Sequence, residues 1–119
     1  MGEFSDRGLL KSISNPSTNA YEIVHHTPEV TFLGVRGQPD FADVTIRLIP
    51  NGQVIELKSL KQYLVDLRNR VFSYERLVNV LYDDLRTVYE PRRLHLEVRT
   101  RPRGGIESTL TIDSDDERE

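Results

Sequence analysis

The chain has 119 residues, no cysteine, and 16 basic against 19 acidic residues, for a formal net charge of −3. Without cysteine it has no disulfide bond, no thiolate metal ligand and no cysteine nucleophile. Its length indicates a single domain, and no apolar run of about 18 residues predicts a transmembrane helix. The N-terminus lacks the apolar segment typical of a signal peptide, so we expect a cytoplasmic protein.

Composition divides the chain into three regions. Residues 1–19 contain Gly, Ser, Asn and Pro with little periodicity, and we interpret them as an arm suited to lie on a neighbouring subunit. Residues 20–112 form the predicted domain. Residues 113–119 hold five acids and one arginine, a charge of −4, which leaves −3 − (−4) = +1 for the rest. Acidic ends of this kind are usually solvated, so we expect a disordered tail.

The first half of the domain favours strands. Residues 20–34 are rich in Val, Ile, Tyr, Thr and Phe, and Pro28 within them predicts a bulge or an edge position. Apolar and polar residues alternate over 44–48, which is typical of a half-buried strand. The pair Asn51-Gly52 then predicts a tight hairpin, with a returning strand over 54–57.

The period changes to that of helices in the next segment. Apolar residues recur every three or four positions over 60–71, with Ser59 as the expected N-cap. A second helical pattern covers 77–88, with Ser73 as its N-cap and Pro91 as its stop.

Two further strands are predicted over 94–98 and 106–112, separated by a glycine-containing turn at 101–105. The element order is therefore strand, strand, helix, helix, strand, strand. This order predicts an α+β domain, a four-stranded antiparallel sheet with two helices on one face.

Several short motifs resemble those of the QueF family of nitrile reductases. They are Gly37-Gln38-Pro39-Asp40-Phe41, the run from Glu56 to Tyr63 (Glu-Leu-Lys-Ser-Leu-Lys-Gln-Tyr), Leu67-Arg68-Asn69, Glu75, and Pro102-Arg103-Gly104-Gly105-Ile106. Each motif alone is weak, but together they occur in the family's order and spacing over most of the chain.

The resemblance implies the tunnelling fold (T-fold), with subunits assembled as rings around a barrel and active sites between subunits. It also implies an activity, the NADPH-dependent reduction of 7-cyano-7-deazaguanine to its aminomethyl form on the route to queuosine in tRNA. We therefore expect a homo-oligomeric ring, a pentamer or stacked pentamers.

The resemblance assigns three acidic residues to the substrate site. Glu75 and Glu56 would hold the heterocycle, because a carboxylate accepts both the ring N–H and the exocyclic amine of a guanine-like edge. Asp40 would be the general acid. Each residue also has a purely structural interpretation: Glu75 as a charge stabilising a helix N-terminus, Glu56 as an exposed strand end, and Asp40 as a turn residue after proline.

A cofactor patch is implied by Lys58, Lys61, Arg103 and Gly104. The cations suit the phosphates of NADPH, and the glycines beside Arg103 let backbone amides approach an anion. The competing interpretation of the lysines is a solvated helix face.

The chain departs from the family pattern where the chemistry takes place. Counted forward from Pro28-Glu29, the family's nucleophile position falls on Gly34. Counted back from Gly37-Gln38-Pro39-Asp40, it falls on Leu33, because the loop is one residue shorter than in the family. The family's Phe-His pair is Ser73-Tyr74 here. The family captures the nitrile as a thioimide before hydride transfer, so reduction by that route is not expected. Asp40, Tyr74 and Glu56 remain as candidate acid–base groups.

Metal and nucleic-acid sites are not expected. His25 and His26 are adjacent on a strand and point to opposite faces, so at most one could join His95, a poor zinc site without cysteine. Basic residues of the third strand lack the interleaved aromatic residues of a nucleic-acid surface.

Three functions stay open. The first is an enzyme that binds a 7-deazaguanine, purine or pterin and uses chemistry other than thioimide formation. The second is a non-catalytic QueF homologue or a partner subunit of an active enzyme. The third is an NADPH-dependent reductase.

Overall fold

A computed structural model describes residues 4–116 of the chain. Its elements are, in order, β1 Ser12–Ser14, β2 Ile23–Leu33, β3 Pro39–Ile49, β4 Gln53–Ile55, α1 Leu57–Asp66, α2 Tyr74–Tyr89, β5 Arg93–Thr100 and β6 Thr109–Asp113. Neither α1 nor α2 is long and apolar enough to cross a membrane.

One antiparallel sheet of four strands, in the order β2-β3-β5-β6, carries both helices on one face. Every second residue of β3 is buried against the helices, because side chains of a strand alternate between the two faces. The core between the layers includes Phe32, Ile46, Leu77, Leu81 and Leu96. This arrangement confirms the predicted α+β class.

The bulge predicted at Pro28 is present. The pairing of β2 with β3 runs in one register from Ile23 to Thr27 and in a shifted register from Val30 to Leu33. Proline has no N–H for the ladder, so the extra residue is accommodated at this point of an edge strand.

The hairpin predicted at Asn51-Gly52 is wrong. The strand that follows it, β4, pairs with β1 of the N-terminal arm, in the register Ser12↔Ile55. Gly52 does not adopt the positive φ that a tight hairpin turn requires, and its carbonyl accepts the N–H of Asn15 instead. The backbone groups of β4 therefore pair with the arm and not with β3, whose two edges pair with β2 and β5.

The two helices differ in how well their starts were predicted. Ser59 is not the N-cap of α1; that residue is Glu56, whose Oε1 accepts the Ser59 N–H at 2.8 Å. Ser73 is the N-cap of α2, as predicted, and accepts the Arg76 N–H at 3.1 Å. The helix α2 ends at Glu90, in the left-handed conformation before Pro91.

The arm packs on its own chain. The buried carboxylate of Asp84 accepts hydrogen bonds from Ser5 at 2.5 Å, from Arg7 at 2.8 Å and from the hydroxyl of Tyr63. Tyr89 further binds the Lys11 carbonyl at 2.7 Å. These arm residues find partners on α1 and α2 of the same chain, and a contact of the arm with a neighbouring subunit stays a prediction.

The acidic end begins inside the sheet. Asp113 is the last residue of β6, and residues 114–116 form a short 3-10 turn. Asp113 binds Arg93 at 2.7 Å and His95 at 2.9 Å. Residues 117–119 of the expected tail lie outside the described residues, and the domain limits at 19 and 112 stay predictions.

Candidate active site

Asp40 and Tyr74 form the centre of the candidate site. Asp40 is the first core-facing residue of β3, opposite Phe32, and only 6% of its surface is exposed. Tyr74 begins α2, and its hydroxyl donates to Asp40 Oδ1 at 2.6 Å. Its ring packs edge-on against Phe32, with the centroids 5.6 Å apart. Two candidate acid–base groups predicted from the sequence are therefore in direct contact.

Arg103 reaches the same carboxylate from the β5–β6 connection. Its Nη2 forms an ion pair with Asp40 Oδ2. The turn that presents it needs glycine twice, since Gly104 and Gly105 have φ values of 59° and 82°. Reciprocal backbone hydrogen bonds between Arg103 and Ile106, of 2.8 and 3.0 Å, close the turn. The glycines thus serve to aim Arg103.

The carboxylate of Asp40 has partners on both oxygens. Besides Tyr74, Oδ1 accepts the Phe41 N–H at 2.8 Å, and Oδ2 holds Arg103. Burial, and then the hydrogen bond and charge of Asp40, raise the pKa of Tyr74. The tyrosine is consequently neutral at physiological pH. Its one hydroxyl hydrogen is directed at Asp40, and the backbone of Arg101 forms a hydrogen bond with the phenol that lowers its pKa in part.

The two counted nucleophile positions lie in a tight loop beside this pair. Leu33 ends β2, and its N–H and carbonyl bind Arg70 and Phe72 at 2.9 and 2.8 Å. Gly34 donates its N–H to the Gln38 carbonyl at 2.7 Å and accepts from Gly37 at 2.8 Å. Neither Leu33 nor Gly34 has a nucleophilic atom. Their backbone groups keep the loop closed, but neither residue can attack a ligand.

Glu75 lies one residue beyond Tyr74 and takes no part in the hydrogen bonds of the Asp40 carboxylate. It is exposed, and no hydrogen bond or ion pair engages its carboxylate within residues 4–116. It lines an open cleft of about 500 Å³ together with Phe4, Ser73, Arg76, Asn79, Val80 and Asp83. The Arg76 guanidinium lies 4.2 Å from the centre of the Phe4 ring.

The other predicted residues lie on α1. One carboxylate oxygen of Glu56 caps α1. This is a structural role, although not the exposed strand end considered from the sequence. Lys58 and Lys61 are exposed and line one cleft of about 630 Å³. The structure therefore brings the two lysines together, whereas Arg103 is bound to Asp40.

A further cleft of about 490 Å³ separates β2 from α1, with Lys61 and Arg68 at its rim and Val24, Leu60 and Leu64 in its wall. His25 also lines it, and burial lowers the pKa of this histidine. His26 binds Asp43 at 2.9 Å. Within the described part of the chain, no group of three His, Asp or Glu side chains could hold a metal ion.

Two features of the site were missed from the sequence. The side chain of Gln38 fills the space beside Gly34, although the motif containing it was noted. Phe4 comes from the arm and lies against the Glu75 cleft. The glycine at the loop start was a usable signal for Gln38, whereas nothing local could have placed Phe4 near a residue 71 positions away.

Comparisons with known proteins identify the family of the chain. The family model described as "QueF-like protein" matches residues 39–119. A protein of Rhodopirellula baltica, named NADPH-dependent 7-cyano-7-deazaguanine reductase, is 37% identical over 115 residues, 95% of each chain. One of the same name from Magnetococcus marinus is 41% identical over 114 residues, 94% of this chain and 89% of its own.

A solved structure supports the fold. The apo form of an archaeosine synthase QueF-Like superposes with a TM-score of 0.73 at 18% identity, covering 82% of this chain and 96% of its own. Together with the observed sheet and helices, the match confirms the predicted tunnelling fold.

Proposed function

The chain belongs to the QueF-like protein family, and from that premise we propose that it binds a 7-deazaguanine, or a related purine or pterin, at subunit interfaces and acts on it without a covalent thioimide. The observation that carries the proposal is the 2.6 Å hydrogen bond between Tyr74 and Asp40, beside a loop that has no sulfur. An acid–base pair persists where the nucleophile is absent.

The pair supports proton transfer through the tyrosine oxygen. Because Tyr74 directs its hydrogen at Asp40, its oxygen can accept an N–H or O–H from a ligand, beside the backbone hydrogen bond that it has with Arg101. Tyr74 and Arg103 contact different oxygens of Asp40, so a proton accepted by the tyrosine oxygen can be passed to the carboxylate and returned. No covalent bond between protein and ligand is needed for that chemistry.

Glu75 is the proposed anchor of the heterocycle. Its carboxylate is exposed and has no partner among the described residues, so both oxygens are available to a ligand. A guanine-like edge offers two adjacent N–H donors that match its two oxygens. Glu56, with one oxygen on Ser59, contributes a second acceptor in the proposed site.

The open shape of the Glu75 cleft supports a site completed by a neighbouring subunit. One chain leaves Glu75 exposed, and binding pockets usually bury most of a small ligand. A ring of subunits, as the resemblance implies, would close the cleft and exclude water from Tyr74.

NADPH is a proposed cofactor, since the curated relatives carry it in their names. Lys58 and Lys61 suit its phosphates, because they share a cleft and form no ion pair within residues 4–116. When bound, NADPH supplies hydride. Arg103 would join these lysines only by exchanging Asp40 for a phosphate.

A non-catalytic ligand-binding or partner subunit is the second candidate. It is favoured by one observation: both oxygens of Asp40 are already bound to protein groups, which is typical of a carboxylate with a structural role. Ligand binding without turnover would support it.

Calorimetric titration with 7-cyano-7-deazaguanine, GTP and a pterin tests the proposal. We expect saturable binding of at least one compound by the wild-type protein and at least a tenfold loss, about 1.4 kcal/mol, in Glu75→Ala. Glu22→Ala removes an acid that forms a partly exposed ion pair with Arg47 at 3.2 Å, and it serves as the matched control. Absence of binding by the wild type would contradict the proposal.

A further inference from the structure

The side chain of Gln38 occupies the place of a side chain at position 34. A Cβ atom built on Gly34 would lie 2.7 Å from Gln38 Cδ and closer still to Nε2. The two residues also face each other through the hydrogen bond from Gly34 N–H to the Gln38 carbonyl, 2.7 Å long. Glycine at 34 therefore makes room for the carboxamide of Gln38.

The carboxamide has a defined orientation. Its oxygen Oε1 accepts the backbone N–H of Arg36 at 3.1 Å, so the amide nitrogen must be the atom that faces Gly34. Nε2 has no hydrogen-bond partner in the described part of the chain. Gln38 is half-buried, and the loop thus presents a neutral donor without an acceptor.

This donor lies two residues before Asp40, where β2 and β3 meet in their connecting loop. Phe32 pairs with Asp40 and Leu33 with Pro39, so Gly34 and Gln38 extend the same ladder by one step. Residues two apart on a strand share a face and are about 6–7 Å apart. Gly34 follows Phe32 by two residues, so the amide that occupies its Cβ position lies on the sheet face of Phe32 and Asp40.

Resting on the proposed function, we infer that the Gln38 carboxamide is a specificity-determining group of the site. It donates a hydrogen bond to the ligand substituent that meets Asp40 and Tyr74. A neutral N–H donor selects substituents with an acceptor atom, such as a nitrile nitrogen or a carbonyl oxygen. It discriminates against an ammonium group, which has only donors to offer.

Three ligands with one heterocycle test this inference: 7-cyano-, 7-aminomethyl- and unsubstituted 7-deazaguanine. We expect the wild type to bind the nitrile about 3- to 10-fold more tightly than the unsubstituted compound, the range of one neutral hydrogen bond. Gln38→Ala should remove that preference and leave affinity for the unsubstituted compound unchanged. Gln38→Glu should turn the preference towards the aminomethyl compound, because its carboxylate accepts from the ammonium.

Gly34→Ala supplies an independent variant, since the added methyl displaces the amide while Gln38 remains. The obstructing atoms belong to the end of a flexible side chain, so the fold should tolerate it, and circular dichroism checks this for all variants. We expect the nitrile preference to fall here too. A preference unchanged in folded Gln38→Ala overturns this inference alone. If the wild type binds none of the three ligands, this inference is overturned, and the proposed function fails with it only when GTP and the pterin do not bind either.

Discussion

Tyr74 and Asp40, 34 residues apart in the chain, are joined by a 2.6 Å hydrogen bond between the start of α2 and the core-facing end of β3. The contact ties the helix layer to the sheet at the loop where the chain has glycine in place of a nucleophile. Arg103 then fixes the other oxygen of Asp40 from the β5–β6 turn. Three separate parts of the sequence converge on one carboxylate.

Replacing Tyr74 by Phe should destabilise the fold by about 1–2 kcal/mol, because the buried Asp40 carboxylate loses a donor that water cannot readily replace. The measurement is the free energy of unfolding in urea. Tyr21→Phe is the matched control, since its hydroxyl binds the amide oxygen of Asn15, a neutral acceptor, at 2.7 Å. Equal losses in both variants would show that Asp40 gives Tyr74 no special role in stability.

Asp84→Ala should be more destabilising, by about 2–4 kcal/mol, because it leaves the buried hydroxyl of Tyr63 without its acceptor and breaks the ion pair with Arg7. It should also release the arm, making its peptide bonds more susceptible to a protease. Asp83→Ala, at the exposed neighbouring position, is the control. An arm that stays protected in Asp84→Ala would argue against this network as its anchor.

Asp113 should contribute to acid sensitivity. Its hydrogen bond with Arg93, with further help from His95, holds the pKa of this carboxyl well below its usual range. A lowered folded-state pKa means that the stabilisation is complete above the unfolded value, about 4, and is lost as the pH falls towards the folded value. Urea midpoints measured between pH 7 and pH 2 should therefore decline less steeply in Asp113→Asn.

Asp66→Asn is the control for that pH series, because Asp66 pairs with Arg70 over four helical positions and both side chains are partly exposed. Its acid profile should match that of the wild type. A wild-type slope in Asp113→Asn would show that Asp113 titrates similarly in the folded and unfolded states.

If the proposed cofactor patch is correct, the two lysines and Arg103 should differ in their effect on NADPH binding. The double variant Lys58→Ala, Lys61→Ala should weaken NADPH binding at least tenfold, since two charges for the phosphates are lost. Arg103→Ala should have a smaller effect on NADPH than on unfolding free energy, because Arg103 is paired with Asp40. Fluorescence titration with NADPH measures the first effect. A larger loss in Arg103→Ala would place Arg103 in the cofactor site instead.

The core of the fold was predictable because its signals are local. Alternation over 44–48 predicted β3, Pro28 predicted the bulge, and Ser73 predicted the start of α2. The hairpin at Asn51-Gly52 was not, since the turn propensity of two residues was outweighed by pairing of β4 with the distant arm. A choice between two strand partners depends on tertiary contacts that a local pattern does not contain.

The sequence named three residues that the structure places in contact around Asp40, but it did not predict how they are connected. The motifs named Asp40, Tyr74 and Arg103, but the sequence assigned Arg103 to the cofactor, whereas the structure pairs it with Asp40. The helix cap formed by Glu56 was also missed, because Ser59 has the higher N-cap preference and only the backbone path shows which residue begins the helix.

The proposed site recognises the heterocycle reversibly and cannot form a thioimide. Intact-mass spectrometry of the wild-type protein, after incubation with 7-cyano-7-deazaguanine at a concentration that calorimetry shows to be saturating, tests it most directly. Since no covalent bond is proposed, we expect an unchanged protein mass and full recovery of the ligand on denaturation. A mass increase equal to that of the nitrile would show a covalent adduct and contradict it.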